Sequence, residues 1–253
     1  MGKRIICVIP ARFFSTRLVG KPLIEICGHP LIWWVYKRAS ASKFFEKVFV
    51  ATDDQRIKST VETFGGKAIM TSPHHTSGTD RVGEVAQRYP CDIVVNIQGD
   101  EPLIKPEMME EAIAPLLIDH HIFASTLKKR IDTYEDLVNP NVTKVVTDKD
   151  DFAIYFSRSP IPYRASGNEI QSDQSISFYK HIGIYVYQKE FLLKYVNMSP
   201  TPLETVEKLE QLRILENGYK MKVVPTLHDS VGVDTQEDVE TVRELIESGA
   251  ESL

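Results

Sequence analysis

The stretch of this 253-residue chain richest in chemistry lies near its start: Pro10-Ala11-Arg12-Phe13-Phe14-Ser15-Thr16-Arg17-Leu18-Val19-Gly20-Lys21-Pro22-Leu23. It joins an apolar run to a helical pattern and carries three cations, two hydroxyls and a glycine. Such a loop offers a polyphosphate backbone N–H groups, flexible positive charge and little bulk. Its spacing fits neither the P-loop nor the glycine fingerprint of dinucleotide-binding folds. A solvated basic loop would have the same composition, so the weight falls on two carboxylates elsewhere. Asp100 ends the apolar run 94–97 after Gln98 and Gly99, and Asp234 ends Val231-Gly232-Val233. A single Asp at a strand end is commonly a helix cap. Two of them on one sheet edge, facing a triphosphate, would make a magnesium site, because Mg²⁺ takes one or two carboxylates plus phosphate oxygens and water. Gly99 and Gly232 are expected to leave room for a ligand against the backbone.

The elements that must position these groups follow from periodicity. Residues 5–11, 47–52, 67–71 and 92–98 read as apolar strands. Helical patterns over 30–41, 54–64, 80–89 and 106–118 alternate with them. That alternation implies a parallel sheet covered on both faces, with ligands beyond the carboxyl ends of its strands. The second half reads differently. Strands are expected over 142–147, 152–157 and 181–187, a long helix over 203–217, strands over 220–225 and 230–233, and a last helix over 235–248. In that helix Thr235 and Asp238 have capping-box spacing. The fold class is therefore α/β, a doubly wound, mainly parallel sheet with a smaller, partly antiparallel arm. One nucleotide-binding domain is expected over 1–253, with a core of about 1–130 and 200–253 and a mixed-strand part of about 140–200.

Composition narrows the class. Hydrophobic residues make up 42% and charged residues 26%, with a formal net charge of -5, so a nucleic-acid binder with a basic face is disfavoured. Cys7, Cys27 and Cys91 lack metal or disulfide spacing and read as buried free thiols in a reducing compartment. The first apolar run is too short for a signal peptide, and no stretch approaches the roughly 20 apolar residues of a membrane span. A cytoplasmic protein is expected.

The motifs PARxxSTRLxGKPL (10–23), ATDD (51–54), SGTDR (77–81), NxQGDEP (96–102), YFSRSPIP (155–162), KHIGIY (180–185), LExxExLEQLR (203–213) and GVDTxED (232–238) occur in this order. Together they resemble the 3-deoxy-D-manno-octulosonate (Kdo) cytidylyltransferases, over roughly residues 4–243; Val19 departs from the usual proline. The resemblance implies a Mg²⁺-dependent transfer of CMP from CTP to Kdo, with release of pyrophosphate, serving lipopolysaccharide synthesis. It implies that Ala11, Arg12, Ser15, Arg17 and Lys21 hold the CTP phosphates. Ser77, Gly78, Asp80 and Arg81 would line the cytidine pocket. Gln98, Arg158, His181, Glu210 and Gln211 would surround the acidic sugar, and Asp100 and Asp234 would hold the metal, with Lys21 beside them in catalysis. Arg158 suits the sugar carboxylate because its fork can engage both oxygens. Rival readings are CMP transfer to another acidic sugar, such as sialic acid or 8-amino-Kdo, and a catalytically silent nucleotide-sugar sensor.

Other residues have plainer expectations. His74-His75 and His120-His121 are adjacent pairs without the spacing of a transition-metal site. Trp33-Trp34 reads as core, and Lys128-Lys129-Arg130 as a solvated turn. Strands 152–157 and 181–187 carry apolar groups on both faces with no helix between 148 and 188 to cover them, so a homodimer is expected there.

Overall fold

A computed structural model describes residues 2–14, 18–163 and 177–250. In chain order the elements are β1 (Ile5–Pro10), β2 (Glu25–Ile26), β3 (His29–Pro30), α1 (Leu31–Ala41), β4 (Lys47–Thr52), α2 (Gln55–Thr63), β5 (Ala68–Met70), α3 (Gly78–Arg88), β6 (Ile93–Ile97) and α4 (Pro106–Ile118). They continue with β7 (Ala124–Arg130), α5 (Tyr134–Val138), β8 (Lys144–Thr147), β9 (Ala153–Ser157), β10 (Tyr179–Gln188), α6 (Lys189–Tyr195), α7 (Pro202–Glu207), α8 (Leu212–Glu216), β11 (Lys222–Thr226) and α9 (Gln236–Glu247).

The main sheet runs β11-β7-β10-β6-β1-β4-β5. All neighbours pair in parallel except β10, which is antiparallel to both β6 and β7. Six strands thus point one way and the seventh, near the middle, points back. Strands β8 and β9 extend from β10 as an antiparallel arm. Alternation along β1 divides its side chains between two cores. Ile5, Cys7 and Ile9 pack with α1, α2, α4 and α9, while Ile6 and Val8 pack with α3, α6 and α8. Burial on both faces is why β1 reads as an unbroken apolar run.

Several expectations need correction. The helix foreseen over 203–217 is two short helices, α7 and α8, separated where Lys208 takes a left-handed backbone, φ 55°. Residues 230–233 are not a strand; they cross the carboxyl edge of the sheet, and Val233 N–H donates to Asp100 O at 2.8 Å. Lys128-Lys129-Arg130 is not a solvated turn but the end of β7, with Lys128 buried between Thr147 and Asp151. Sequence reading missed β7 because its buried Ser125 and Thr126 break the apolar signal while satisfying their hydroxyls on Ala112 O and Ile184 O. Cys7 and Cys91 are buried free thiols, whereas Cys27 is partly exposed. Trp34 is core, its indole N–H donating to Ile26 O at 2.9 Å, and Trp33 stacks on His29. Phe156, Ile182, Ile184 and Tyr187 are buried within the chain itself, with α4 packed on β10 and α8 on β9. The cover sought from a partner therefore comes largely from helices distant in sequence. No helix among the described residues is long and apolar enough to cross a membrane.

Candidate active site

Parallel strands bring the ends of β1 and β6 side by side, and this fixes the site. Pro10 and Ala11 leave β1, with Ala11 N–H held by Ala51 O at 2.8 Å. At the end of β6, a Cβ on Gly99 would lie 2.7 Å from Pro10 O. Gly99 therefore makes room for the neighbouring backbone, and it also lines the cleft. Gly232 likewise faces protein, namely Glu101 and Asp100 O. After the loop that follows β1, Gly20 takes φ 72°, which glycine adopts without strain, and turns the chain into the short helix Lys21–Leu23.

This turn delivers Lys21 between the two foreseen carboxylates. Its Nζ donates to Asp100 Oδ2 at 2.8 Å, Asp234 Oδ1 at 3.0 Å and Val233 O at 2.7 Å. Burial disfavours the charged ammonium, but the attraction of Asp100 and Asp234 outweighs it and holds the lysine above its ordinary pKa. Asp234 is not the cap of α9; Thr235 caps it, with Asp238 closing the box. Behind Asp100, Glu101 accepts from Gly183 N–H at 3.1 Å and from the Ser230 hydroxyl at 2.5 Å. The residue keeps some surface, yet its carboxylate is enclosed, and burial raises its pKa to about 7 against the opposing pull of Ser230. Glu101 thus ties the middle of β10 and the 230–234 crossing to the end of β6.

The cleft above this edge has a volume of about 220 Å³. Of the foreseen residues it gathers Ala11, Arg12, Lys21, Ser77, Gly78, Arg81, Gln98, Asp100, Glu210 and Asp234. The N-terminus of α3 opens into it, capped by Ser77, whose hydroxyl accepts from Asp80 N–H. Asp80 itself does not line the cleft. Its carboxylate faces away into the capping box, accepting from Ser77 N–H and the Thr76 hydroxyl. Arg81 reaches the cleft while its guanidinium clamps the ends of β4 and β5 through Asp53, Thr71 and Ser72 O. Glu210 arrives because the chain breaks between α7 and α8. There it accepts from the Thr79 hydroxyl, and burial raises its pKa.

The remaining sugar candidates stand outside this lining. His181 is paired with the Thr126 hydroxyl at 2.8 Å, and desolvation lowers its pKa to about 3, so the ring is neutral. Tyr185 donates to Gln211 Oε1 at 3.3 Å. The buried amide nitrogens of Gln211 and of Asn96, Tyr185's register partner on β6, have no hydrogen-bond partner among the described residues. Arg158 is anchored on Glu207 O and Pro140 O. Ser15 and Arg17 lie outside the described residues. Sequence reasoning missed His75, which lines the cleft with its ring held by Glu84 at 2.6 Å. Its position two residues before the Ser77 cap was the available signal.

Arg12 and Lys21, the capped helix α3 and the paired carboxylates thus meet at the carboxyl edge of a mainly parallel sheet, the arrangement expected of a nucleotide-binding cleft. The family model described as cytidylyltransferase matches residues 6–223. A 3-deoxy-manno-octulosonate cytidylyltransferase of Geotalea uraniireducens is 51% identical over 96% of this chain and 99% of its own. One from Fusobacterium nucleatum is 53% identical over 93% and 94%. A solved structure of CMP:2-keto-3-deoxy-manno-octonic acid synthetase complexed with CTP superposes with a TM-score of 0.88 at 39% identity, covering 97% of this chain and 99% of that one. The chain belongs to the 3-deoxy-manno-octulosonate cytidylyltransferase family.

Proposed function

We infer that this protein transfers CMP from CTP to 3-deoxy-manno-octulosonate and releases pyrophosphate. The observation that carries the reading is the convergence of Lys21, Asp100 and Asp234 beside the α3 N-terminus. It occurs in a chain 39% identical to a synthetase solved with CTP. In this reaction the sugar's anomeric oxygen forms a bond to the α-phosphorus, the bond from that phosphorus to the bridging oxygen breaks, and the hydroxyl proton is lost. Catalysis of this kind rests on positioning and charge neutralisation. Arg12 and Lys21 would neutralise the phosphates, and the backbone at Ser77 and Gly78 would seat the cytidine. Gln98 and Glu210 would orient the sugar, whose carboxylate falls to Arg158. His181, neutral and tied to Thr126, would serve as a fixed hydrogen-bonding wall beside Tyr185 and Gln211.

Magnesium dependence is part of the proposal. The fit is supported by the site's own stand-in cation: Asp100, Asp234 and Val233 O already converge on one ammonium, and all three are hard oxygen donors. A magnesium ion bound there would neutralise developing charge and acidify the attacking hydroxyl. Asp100→Asn and Asp234→Asn should each fold yet lose about two to four decades in turnover, about 3–5 kcal/mol. Pyrophosphate release from CTP, measured with a panel of acidic sugars with and without magnesium, tests the reading. Equal rates with sialic acid and Kdo, or rates unaffected by chelation, would refute it. We further propose a cytoplasmic homodimer. Ile154, 60% exposed on strand β9, and Val206, 80% exposed on α7, supply apolar surface for the contact. Light scattering that gave the single-chain mass of 28.8 kDa with full activity would exclude the dimer.

A further inference from the structure

The cation lying between Asp100 and Asp234 belongs to the chain itself. Lys21 is 13% exposed at its side chain, and its ammonium is held by three oxygens from two separate loops. An ammonium at hydrogen-bond distance from both carboxylates fills the space in which a divalent cation would meet them. Lys21 is also the cation that the loop after β1 offers to a triphosphate, so it has two alternative sets of acceptors. Its flexible four-carbon stem allows it to move from one to the other. The backbone that carries the two carboxylates is held independently of it, with Asp234 N–H bonded to Asp238 Oδ2 at 2.8 Å. Val233 N–H bonds to Asp100 O, and the Glu101 carboxylate binds Gly183 N–H and Ser230, so the frame persists when the ammonium leaves.

We propose that Lys21 is an internal counter-ion: it occupies the divalent-cation site of the free enzyme and moves onto the triphosphate when CTP arrives, so that metal and CTP bind with positive coupling. The proposal rests on the magnesium reading above. In the free enzyme an incoming cation must evict the ammonium and strand it, partly buried, without its three acceptors. With CTP bound, the phosphates replace those acceptors and the eviction no longer opposes metal binding. Linkage then requires metal to tighten CTP by the same factor as CTP tightens metal. A static cross-brace, the simpler use of such an ion pair, makes the opposite forecast, because removing it would loosen the carboxylates and weaken the metal.

The test uses Mn²⁺ as a paramagnetic probe, titrated into the whole protein with and without a non-hydrolysable CTP analogue and read by EPR of the free ion. Wild type should bind Mn²⁺ weakly alone and much more tightly with the analogue. In Lys21→Met, nucleotide-free affinity should rise about tenfold or more, and the coupling factor should fall towards one. Lys21→Gln repeats the measurement with a polar, neutral side chain in case the first variant fails to fold. If both folded variants bind Mn²⁺ no more tightly than wild type, the counter-ion role is overturned. Asp234→Asn separates this from failure of the underlying reading. Loss of analogue-dependent Mn²⁺ binding in Asp234→Asn, with no gain in the Lys21 variants, refutes the counter-ion alone. Unchanged binding in Asp100→Asn and Asp234→Asn refutes the metal site itself.

Discussion

Gly99→Ala is the sharpest test of how the site is positioned. The added Cβ would stand 2.7 Å from the carbonyl oxygen of Pro10. No rotamer relieves a backbone-on-backbone collision, so the ends of β1 and β6 must part by about half an ångström, with a stability loss of about 1–3 kcal/mol. Asp100 is the next residue and moves with the strand end, away from Lys21 and Asp234. Since a misplacement of about 1 Å can cost about 100-fold in rate, a shift of half that size predicts a fall of roughly tenfold in kcat/KM. Gly83→Ala is the control. On α3, its Cβ meets side chain rather than backbone: Val196 Cγ1 at 2.9 Å and Cγ2 at 3.2 Å. There the helix-propensity gain of about 0.5–1 kcal/mol offsets part of the crowding, and Lys21, Asp100 and Asp234 are not displaced. Urea denaturation and pyrophosphate release on both variants decide the matter. Wild-type stability and activity in Gly99→Ala would refute the account of how Asp100 is placed.

Three further outcomes follow from the burial of charge. His181 has an ordinary pKa of 6.5 in the unfolded chain and about 3 in the fold, so the unfolded state alone takes up a proton as pH falls through this window. Stability is therefore lost on acidification, by up to about 2 kcal/mol at pH 5. The decline between pH 7 and 5 should be smaller in His181→Gln, and an identical decline by urea titration would contradict this. Glu204 and Arg213 are both buried and joined by paired hydrogen bonds. Glu204→Leu should lose about 3–5 kcal/mol, much of it recovered by adding Arg213→Met, because the cost lies in the stranded charge. Equal melting of the two variants would disprove that. Glu210→Gln should preserve folding but raise the KM for sugar more than that for CTP, and steady-state titration of each substrate reports the split.

The first half of the fold was legible because β1, β4 and β6 are buried on both faces and helices separate them. Asp100 and Asp234 were recognisable as partners because each follows a short apolar run, although only the run before Asp100 is a strand. What stayed hidden is instructive. β7 carries Ser125, Thr126 and Lys128 inside the protein, where specific acceptors satisfy them, so its composition mimics a loop. The break at Lys208 leaves no glycine or proline mark, because an ordinary lysine adopts the left-handed conformation there. Lys21 was expected on phosphate, and its seat between the carboxylates depends on a turn at Gly20 that spacing alone does not reveal. Asp80 and Arg81 sit in the right motif yet spend their polar groups on framing the cleft.

The reversed strand β10 sets a timetable for the nascent chain. Its two neighbours in the sheet, β6 and β7, end at Ile97 and Arg130, but β10 itself is not complete until Gln188. Until then both neighbours present unpaired edges that must not join each other or another chain. At the usual pace of synthesis the wait from Arg130 to Gln188 lasts several seconds, roughly 3 to 12. The half of the protein that reads most clearly in sequence therefore leaves the ribosome with its sheet unfinished. Glu101, next to Asp100, gains its bond from Gly183 N–H, and Lys21 its second carboxylate, Asp234, only when the second half of the chain closes the gap.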